Sequence, residues 1–289
     1  VTGAAGVPAI ALLASQLRAD EKRLLEALER RRIDCEYADT RTFWGDPSRP
    51  PRWRGVLNRE IGQVRAAYAA RTLESFGVPV LNSAEAIELC GDKWRCTLAL
   101  AGAGLPLPRT ALGLTTESAL AALDDIGYPA VIKPLTGSWG RLIAELPDRR
   151  TAESFLEYVA ERPSPQGRLA YLQELIVKPS RDIRAIVVGG ELLGATYRIA
   201  PGLRTNVALG ARTEVCAETP EISKLATAAA AAVGADIAGV DLIESDDGRL
   251  LVLEVNHRVE FSGFQAAIGD RVDVAGRIVE HFVAMADQW

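Results

Sequence analysis

The sequence of 289 residues is 48% hydrophobic and 25% charged, with 33 Lys and Arg against 38 Asp and Glu for a net charge of −5. Such a chain buries a core in two or three globular units rather than staying disordered, and its charge argues against nucleic-acid binding by general phosphate neutralisation, leaving room only for a local basic patch. Four cysteines without C-x-x-C spacing and two histidines argue against a zinc site or a disulfide framework, and the lack of a basic leader or of about 18 consecutive uncharged apolar residues predicts a soluble, cytoplasmic protein without membrane contact.

Along the first third, short apolar runs alternate with amphipathic stretches, the pattern of a parallel sheet built from βα units. Ala9 to Ala14 reads as a strand. Asp20 to Arg32 carries Leu24, Leu25 and Leu28 on one face and charges on the other, which predicts a helix packed on that sheet. Further strands are expected at Arg54 to Asn58 and Val78 to Leu81, with a helix from Gln63 to Ser75 between them. Between Phe43 and Trp53, three prolines remove backbone donors and predict a loop. Two helices follow, about Ala84 to Cys90 and Asp92 to Ala103, and Pro106 and Pro108 mark a boundary nearby.

From Arg109 the pattern is strand, helix (Thr116 to Asp125), strand (Ala130 to Lys133), glycine-containing loop, strand, helix (Thr151 to Arg162) and strand (Leu169 to Glu174). Beyond this α+β unit, strands at Ile183 to Val188, Leu192 to Ile199, Ala238 to Ile243 and Leu251 to Val255 alternate with helices at Glu221 to Val233 and Val274 to Ala286. That alternation suggests a mainly antiparallel sheet backed by helices.

Asp241 interrupts an apolar run from Ile237 to Ile243, where a carboxylate is costly unless a cation meets it. Glu254 and Asn256, two residues apart at the end of a strand, share a face, and an antiparallel neighbour can set Asp241 beside them. Three such oxygen ligands suit Mg²⁺; a surface-facing acidic pair, with Asp241 capping a strand end, accounts for the same residues. Lys133 ends the run Val131-Ile132-Lys133 and precedes Leu135-Thr136-Gly137-Ser138-Trp139-Gly140-Arg141, whose glycines let backbone approach a phosphate. An ordinary hairpin with a solvated lysine has the same look, and the loop is neither a Walker nor a Rossmann motif. Lys93, after Gly91-Asp92, reads more simply as a solvated helix lysine. Asp182-Ile183-Arg184, Arg198 and Arg204-Thr205-Asn206 add cations suited to phosphate or carboxylate, with a structural Asp182–Arg184 pair as the alternative.

The order of these residues along the chain resembles the ATP-grasp superfamily, and within it the LysX/ArgX group, relatives of the RimK glutamate ligases. The matching segments are Cys90-Gly91-Asp92-Lys93, Gly137-Ser138-Trp139-Gly140-Arg141, Arg181-Asp182-Ile183-Arg184 and Glu254-Val255-Asn256-His257 continuing to Glu260-Phe261. The likeness runs from about Leu17 to the C-terminus. It implies an α/β and α+β ATP-grasp fold with an N-terminal Rossmann-like (pre-ATP-grasp) domain at residues 1–88, a central ATP-grasp subdomain at 89–172 and a C-terminal one at 173–289. ATP is then expected between the last two. Lys93 and Lys133 would hold its phosphates under the loop Thr136 to Arg141, with Gln173, Glu174, Leu175, Ile176 and Val177 around adenine and ribose and Asn206 also on the nucleotide. Asp241, Glu254 and Asn256 would hold Mg²⁺ (or Mn²⁺), as two ions. Arg184 and Lys133 are the implied catalytic residues, Arg184 steadying an acyl phosphate, and Arg198 would grip a carboxylate of the incoming amino acid.

Members of this group join the α-amino group of an acidic amino acid to the C-terminal glutamate side chain of a small acidic carrier protein, LysW. The resemblance therefore implies a ligase with a LysW-like carrier and glutamate or 2-aminoadipate as partners, assembled as a homo-oligomer, dimer or tetramer. Arg49, Arg52 and Arg54 offer a docking patch for an acidic carrier, or else a solvated, proline-stiffened loop. After Glu260-Phe261 comes Ser262-Gly263-Phe264, and a Gly-Phe pair there marks the glutamate-using type. Excluding one methylene is worth only about 1–3 kcal/mol, so dual use stays open. One departure affects the substrate side: relatives usually read Asn-x-x-Arg-Gly-Gly where this chain has Asn206-Val207-Ala208-Leu209-Gly210-Ala211. Leu209 in place of that arginine alters the acceptor's pose or transfers the task to Arg204 or Arg212. A RimK-like ligase acting on a free acid or peptide tail is a rival of the same chemistry; a non-catalytic nucleotide-binding regulator is one of another class.

Overall fold

The computed structural model describes residues 10–137, 142–200 and 212–286. The first sheet has strands β1 (Ile10–Ala14), β2 (Cys35–Asp39), β3 (Gly55–Asn58) and β4 (Val80–Leu81), all parallel, in the order β2-β1-β3-β4. Its crossover helices are α1 (Ala19–Arg30) and α2 (Gln63–Glu74). Leu24, Ala27 and Leu28 of α1 are buried, as the amphipathic spacing predicts. Helices α3 (Ala84–Gly91) and α4 (Lys93–Gly102) follow. The Asp92 carboxylate accepts from Trp94 N and Arg95 N at 3.0 and 3.1 Å, so it caps α4 and makes Lys93 the first helical residue.

The second sheet contains β5 (Thr110–Gly113), β6 (Ala130–Lys133), β7 (Ala144–Leu146) and β8 (Ala170–Glu174), antiparallel in the order β5-β8-β6-β7. Helices α5 (Thr116–Ile126) and α6 (Arg149–Ala160) close its core through Leu123, Leu156 and Val159. The third sheet contains β9 (Arg181–Val188), β10 (Glu191–Ile199), β11 (Arg212–Cys216), β12 (Ile237–Glu244) and β13 (Leu250–Asn256), antiparallel in the order β11-β10-β9-β12-β13. Helices α7 (Pro220–Ala232), α8 (Ser262–Ile268) and α9 (Val274–Ala286) complete the chain.

The third sheet is buried on both faces, with a different outcome on each. Ala185, Val187, Ala238, Val240 and Leu242 point into a core shared with α4 and α7. Ile186, Val188 and Ile237, on the opposite face, join Ile10, Leu12, Leu24, Phe261 and Phe282 in one core with the first sheet, α1 and α9. Strand alternation therefore puts Asp182 and Arg184 on the same face as Ile186 and Val188, and Asp241 on the same face as Ile237. One end of that face is apolar and packs; the other end is charged and forms the floor of a cleft.

Three elements have no counterpart in the sequence expectations. Strand β2 contains Glu36 and Asp39, β11 is a mostly exposed edge strand, and α8 opens on Ser262-Gly263 without a capping side chain. The two strands show no apolar period because edge strands bury little, and in α8 only Phe264 and Ile268 are buried, too few positions for a period to stand out. Among the described residues no helix is long and apolar enough to cross a membrane.

Candidate active site

The cleft floor is a row of charges set by strand register. Arg198 of β10 lies opposite Asp182 of β9, Arg184 of β9 opposite Asp241 of β12, and Asp241 opposite Glu254 of β13. Asp241 is 2% exposed. Its Oδ1 accepts from Arg184 Nε at 2.5 Å, and its Oδ2 from Arg184 Nη2 at 3.1 Å and Arg198 Nη2 at 3.0 Å. Arg198 also donates to both Asp182 oxygens, at 2.7 and 2.8 Å. Burial alone would raise the Asp241 pKa; the charges of Arg184 and Arg198 and their hydrogen bonds outweigh it and hold the carboxyl below its ordinary value. Gly239 matters here because a Cβ would sit 2.8 Å from Arg184 Nη1 and 2.9 Å from Val259 Cγ2.

The β12–β13 register shifts after the Asp241–Glu254 pair, leaving Leu253 as an extra residue. That bulge lets Val252 and Val255 both face the core while Leu253, Glu254 and Asn256 line the cleft. The Asn256 amide nitrogen lies 3.4 Å from Glu254 Oε1 and 3.5 Å from Asp241 Oδ2. Lys93 Nζ donates to the Gly137 carbonyl at 3.0 Å and stands 3.9 Å from Glu254 Oε2. Half-buried Lys133 donates to Gln173 Oε1 at 2.6 Å, and Gln173 Nε2 donates to Thr110 Oγ1 at 3.0 Å. Burial lowers the Lys133 pKa to about 8, with Glu254 opposing the shift and Lys93 adding to it. These groups line one cleft of about 740 Å³, whose apolar wall includes Val131, Ile143, Leu175, Ile176 and Leu253.

The opposite wall comes from the N-terminal part of the chain and from the turn after β13. Glu21, fully buried, accepts from Arg59 Nε at 3.2 Å and Arg258 Nη2 at 3.1 Å. Asp20 accepts from Phe261 N at 2.9 Å and from the Ser262 hydroxyl. His257 Nε2 lies 2.8 Å from Gln63 Oε1; burial, reinforced by Arg258 and Arg59, lowers its pKa to about 4, so the ring is neutral near pH 7. Asn82 Nδ2 donates to the carbonyls of Ile237 and His257 at 2.7 and 2.5 Å, tying the end of β4 to the start of β12 and the end of β13.

Known proteins share the domain order and the fold. The pattern of the RimK-like ATP-grasp domain matches residues 90–282, and that of the LysX preATP-grasp domain matches residues 10–89. The chain belongs to the RimK-like ATP-grasp family. It is 31% identical over 282 residues to the glutamate–LysW ligase ArgX of Sulfolobus acidocaldarius, covering 94% of this chain and 97% of that one. It is 36% identical over 208 residues to the alpha-aminoadipate–LysW ligase LysX of the same organism, covering 71% and 75%. The crystal structure of a RimK domain ATP-grasp protein from Sphaerobacter thermophilus superposes with a TM-score of 0.80 at 28% identity, covering 95% of this chain and 99% of that one.

As a RimK-like ATP-grasp protein the chain is an ATP-dependent carboxylate–amine ligase that uses ATP and a divalent metal. On one side of the cleft the Asn256 amide nitrogen lies within hydrogen-bonding range of Glu254 and Asp241; both Asp241 oxygens are held by Arg184 and Arg198, so Glu254 is the carboxylate of the three without an arginine partner, and a hard oxygen donor of this kind suits a divalent cation. The structure brings together Lys93, Lys133, Gly137, Gln173, Glu174, Leu175, Ile176, Arg184, Arg198, Asp241, Glu254, Asn256, Glu260, Gly263 and Phe264 around one cavity. Glu174 Oε1 accepts from Arg109 N at 2.7 Å. Val177 is 66% exposed, outside the cavity lining, and Phe261 lies wholly in the core. Phe264 belongs to the core and to the cavity wall together; Gly194, at φ +147°, leaves it room, since a Cβ there would meet Phe264 Cζ at 3.0 Å. Ser138, Trp139, Gly140, Arg141, Asn206, Val207, Ala208, Leu209, Gly210 and Ala211 lie outside the described residues, as does Arg204. Of the expected docking patch Arg49, Arg52 and Arg54, Arg49 pairs with Asp46 at 3.5 Å and Arg52 with Glu36 at 2.8 Å.

Arg18, Asp20, Glu21, Arg59 and Gln63 escaped the sequence reading of this RimK-like site. Asp20 and Glu21 look like ordinary first-turn helix acids. Their partners are Arg59, 38 residues beyond Glu21, and residues about 240 positions away, and nothing local marks them.

Proposed function

We propose that the chain joins the α-amino group of glutamate to the C-terminal glutamate side-chain carboxylate of a LysW-like amino-group carrier protein, through an acyl phosphate, releasing ADP and phosphate. The observation that carries this reading is the single cleft: lysines and carboxylates of the kind phosphoryl transfer needs form one side, and the wall bearing Gly263 and Phe264 forms the other. Similarity over nearly the whole length to a glutamate–LysW ligase supports it.

In this reading Lys93 and Lys133 bind the ATP phosphates, and Gln173 to Ile176 with Asn206 bind the nucleoside. Asp241, Glu254 and Asn256 would hold Mg²⁺, as two ions, whose charge offsets that of the transferring phosphoryl group. A carrier carboxylate oxygen attacks the γ-phosphorus, and the bond to the bridging oxygen breaks with its electron pair leaving on ADP. Arg184 steadies the resulting acyl phosphate. The amine nitrogen then attacks the acyl carbon, the C–O bond to phosphate breaks with its pair leaving on phosphate, and the surplus amine protons pass to phosphate and solvent. Arg198, tied to Asp182 and Asp241, holds the geometry of both carboxylates.

The test is to incubate the protein with Mg·ATP and a LysW-like carrier, adding glutamate or 2-aminoadipate, and to weigh the carrier by mass spectrometry. A glutamyl adduct is expected, larger in yield than any aminoadipyl adduct. An unchanged carrier with both amino acids, alongside ADP release with a free small acid, would refute the carrier assignment.

A further inference from the structure

In this conformation Arg198 has Nε and Nη2 bound to Asp182 and Asp241, so the carboxylate of an incoming amino acid needs another cation. The opposite cleft wall has one in Arg18, beside Arg258, whose Nε and Nη2 are already bound to the Arg59 carbonyl and Glu21. Arg18 Nη2 and Arg258 Nη1 both reach Oε1 of Glu260, at 2.7 and 3.4 Å, and all three residues line the cleft. Glu260 Oε2 and Arg18 Nη1 have no partner among the described residues. Behind them Glu21 and the Val259 carbonyl satisfy Arg59, and Glu21 Oε2 also stands 3.8 Å from Arg18 Nε, which leaves Arg18 Nη1 as the open donor. Asp20 holds the next two residues by the Phe261 N–H and the Ser262 hydroxyl, which keeps Glu260 on fixed backbone. Burial tends to raise the Glu260 pKa, but the Arg18 hydrogen bond and the charges of Arg18 and Arg258 more than offset it, leaving an anion.

A free α-amino acid carries a carboxylate and an ammonium on one carbon. An arginine with an open donor beside a carboxylate with an open oxygen is the complementary pattern. The terminal residue of a carrier tail has its nitrogen in a peptide bond, so an anion at this point favours the free amino acid and repels a second carboxylate. We propose that Arg18 and Glu260 form the subsite for the α-carboxylate and α-ammonium of the amine substrate, an inference that rests on the ligase function proposed above. Arg18 binds the carboxylate through Nη1 and Glu260 binds the ammonium through Oε2, while Arg258, held by the Arg59 carbonyl at 2.9 Å and by Glu21 at 3.1 Å, positions Glu260.

The test uses the whole chain with Mg·ATP, carrier and a glutamate concentration series, comparing parent, Arg18→Ala and Glu260→Gln. The expected result is a KM for glutamate raised at least about tenfold in each variant, with a smaller change in kcat. N-acetylglutamate, which lacks the ammonium, should inhibit the parent and Glu260→Gln alike. Glutamate KM values within about twofold of the parent in both variants would overturn the subsite. Hydroxylamine, which has neither charged group, serves as the alternative nucleophile: a carrier hydroxamate from the parent shows that acyl phosphate forms, and none from the parent defeats the ligase reading rather than the subsite.

Discussion

Replacing Asp241 by Asn tests the charge row on the cleft floor, because it removes one negative charge between two arginines while keeping the side chain's shape. Breaking one partner of a buried ion pair costs about 3–5 kcal/mol. Two features reduce that here. Arg198 retains Asp182 at 2.7 and 2.8 Å, and the Arg184 side chain, 15% exposed, borders the cleft, where water can reach it. The expected loss is therefore about 2–3 kcal/mol, which for a chain of this size lowers Tm by about 3–5 °C. The variant and parent are compared by thermal unfolding at pH 7 without nucleotide. Adding Arg184→Gln to the variant should recover about 1 kcal/mol or more, since it removes the cation left without its partner. The pH dependence has a definite sign. A carboxyl whose folded pKa is depressed stabilises the protein above its unfolded pKa and loses that contribution as pH falls through the folded value. Asp241→Asn should thus flatten part of the acid limb of the stability profile. A Tm within about 2 °C of the parent, with no recovery in the double variant, would refute the pairing.

Other outcomes follow from neighbouring groups. Lys133 titrates at about 8 against an ordinary 10.5, so ATP affinity measured by equilibrium binding should weaken from pH 7 to 9, while the contribution of this group to stability rises as pH climbs between those two values. Lys133→Met should bind ATP weakly at every pH in that range. His257 titrates at about 4 against 6.5; the unfolded chain takes up its proton first as pH falls, so stability declines between 6.5 and 4 by at most about 1.4 kcal/mol per pH unit. His257→Gln should remove that slope in urea unfolding, and an unchanged slope would show that another group causes it. Gly239→Ala should displace Arg184, whose Nη1 would lie 2.8 Å from the new Cβ. A drop in kcat of at least about tenfold is expected, with only about 1–3 kcal/mol lost in stability.

Legibility in the sequence followed how much each element buries. Ala130–Lys133 and Val274–Ala286 have the bounds that their apolar runs predict, because each sets a periodic face into a core. Asp241 announced itself as a charge inside an apolar strand, and its cost in that setting pointed to a cation nearby. The identity of that cation was not legible. Arg184 and Arg198 reach it through antiparallel register across β10, β9 and β12, and register depends on how three separated strands pair. Cleft wall residues Arg18, Asp20 and Arg258 were less legible still, since each is polar, locally unremarkable and meaningful only beside a partner far along the chain.

By itself the sequence pointed to the class of chemistry only through a resemblance: Lys93, Lys133, Asp241, Glu254 and Asn256 each have an ordinary structural reading, and it is their order along the chain, with glycines near the lysines, that resembles the ATP-grasp superfamily. Only the tertiary structure decided that one face of the third sheet is apolar at one end and charged at the other, that both oxygens of Asp241 are taken by two arginines, and that the segment before β2 meets the turn after β13 in an opposed wall. The physical reason is range. Propensity and periodicity act within a few residues, whereas ion pairs and hydrogen bonds in a low-dielectric cleft act between whatever residues folding brings together.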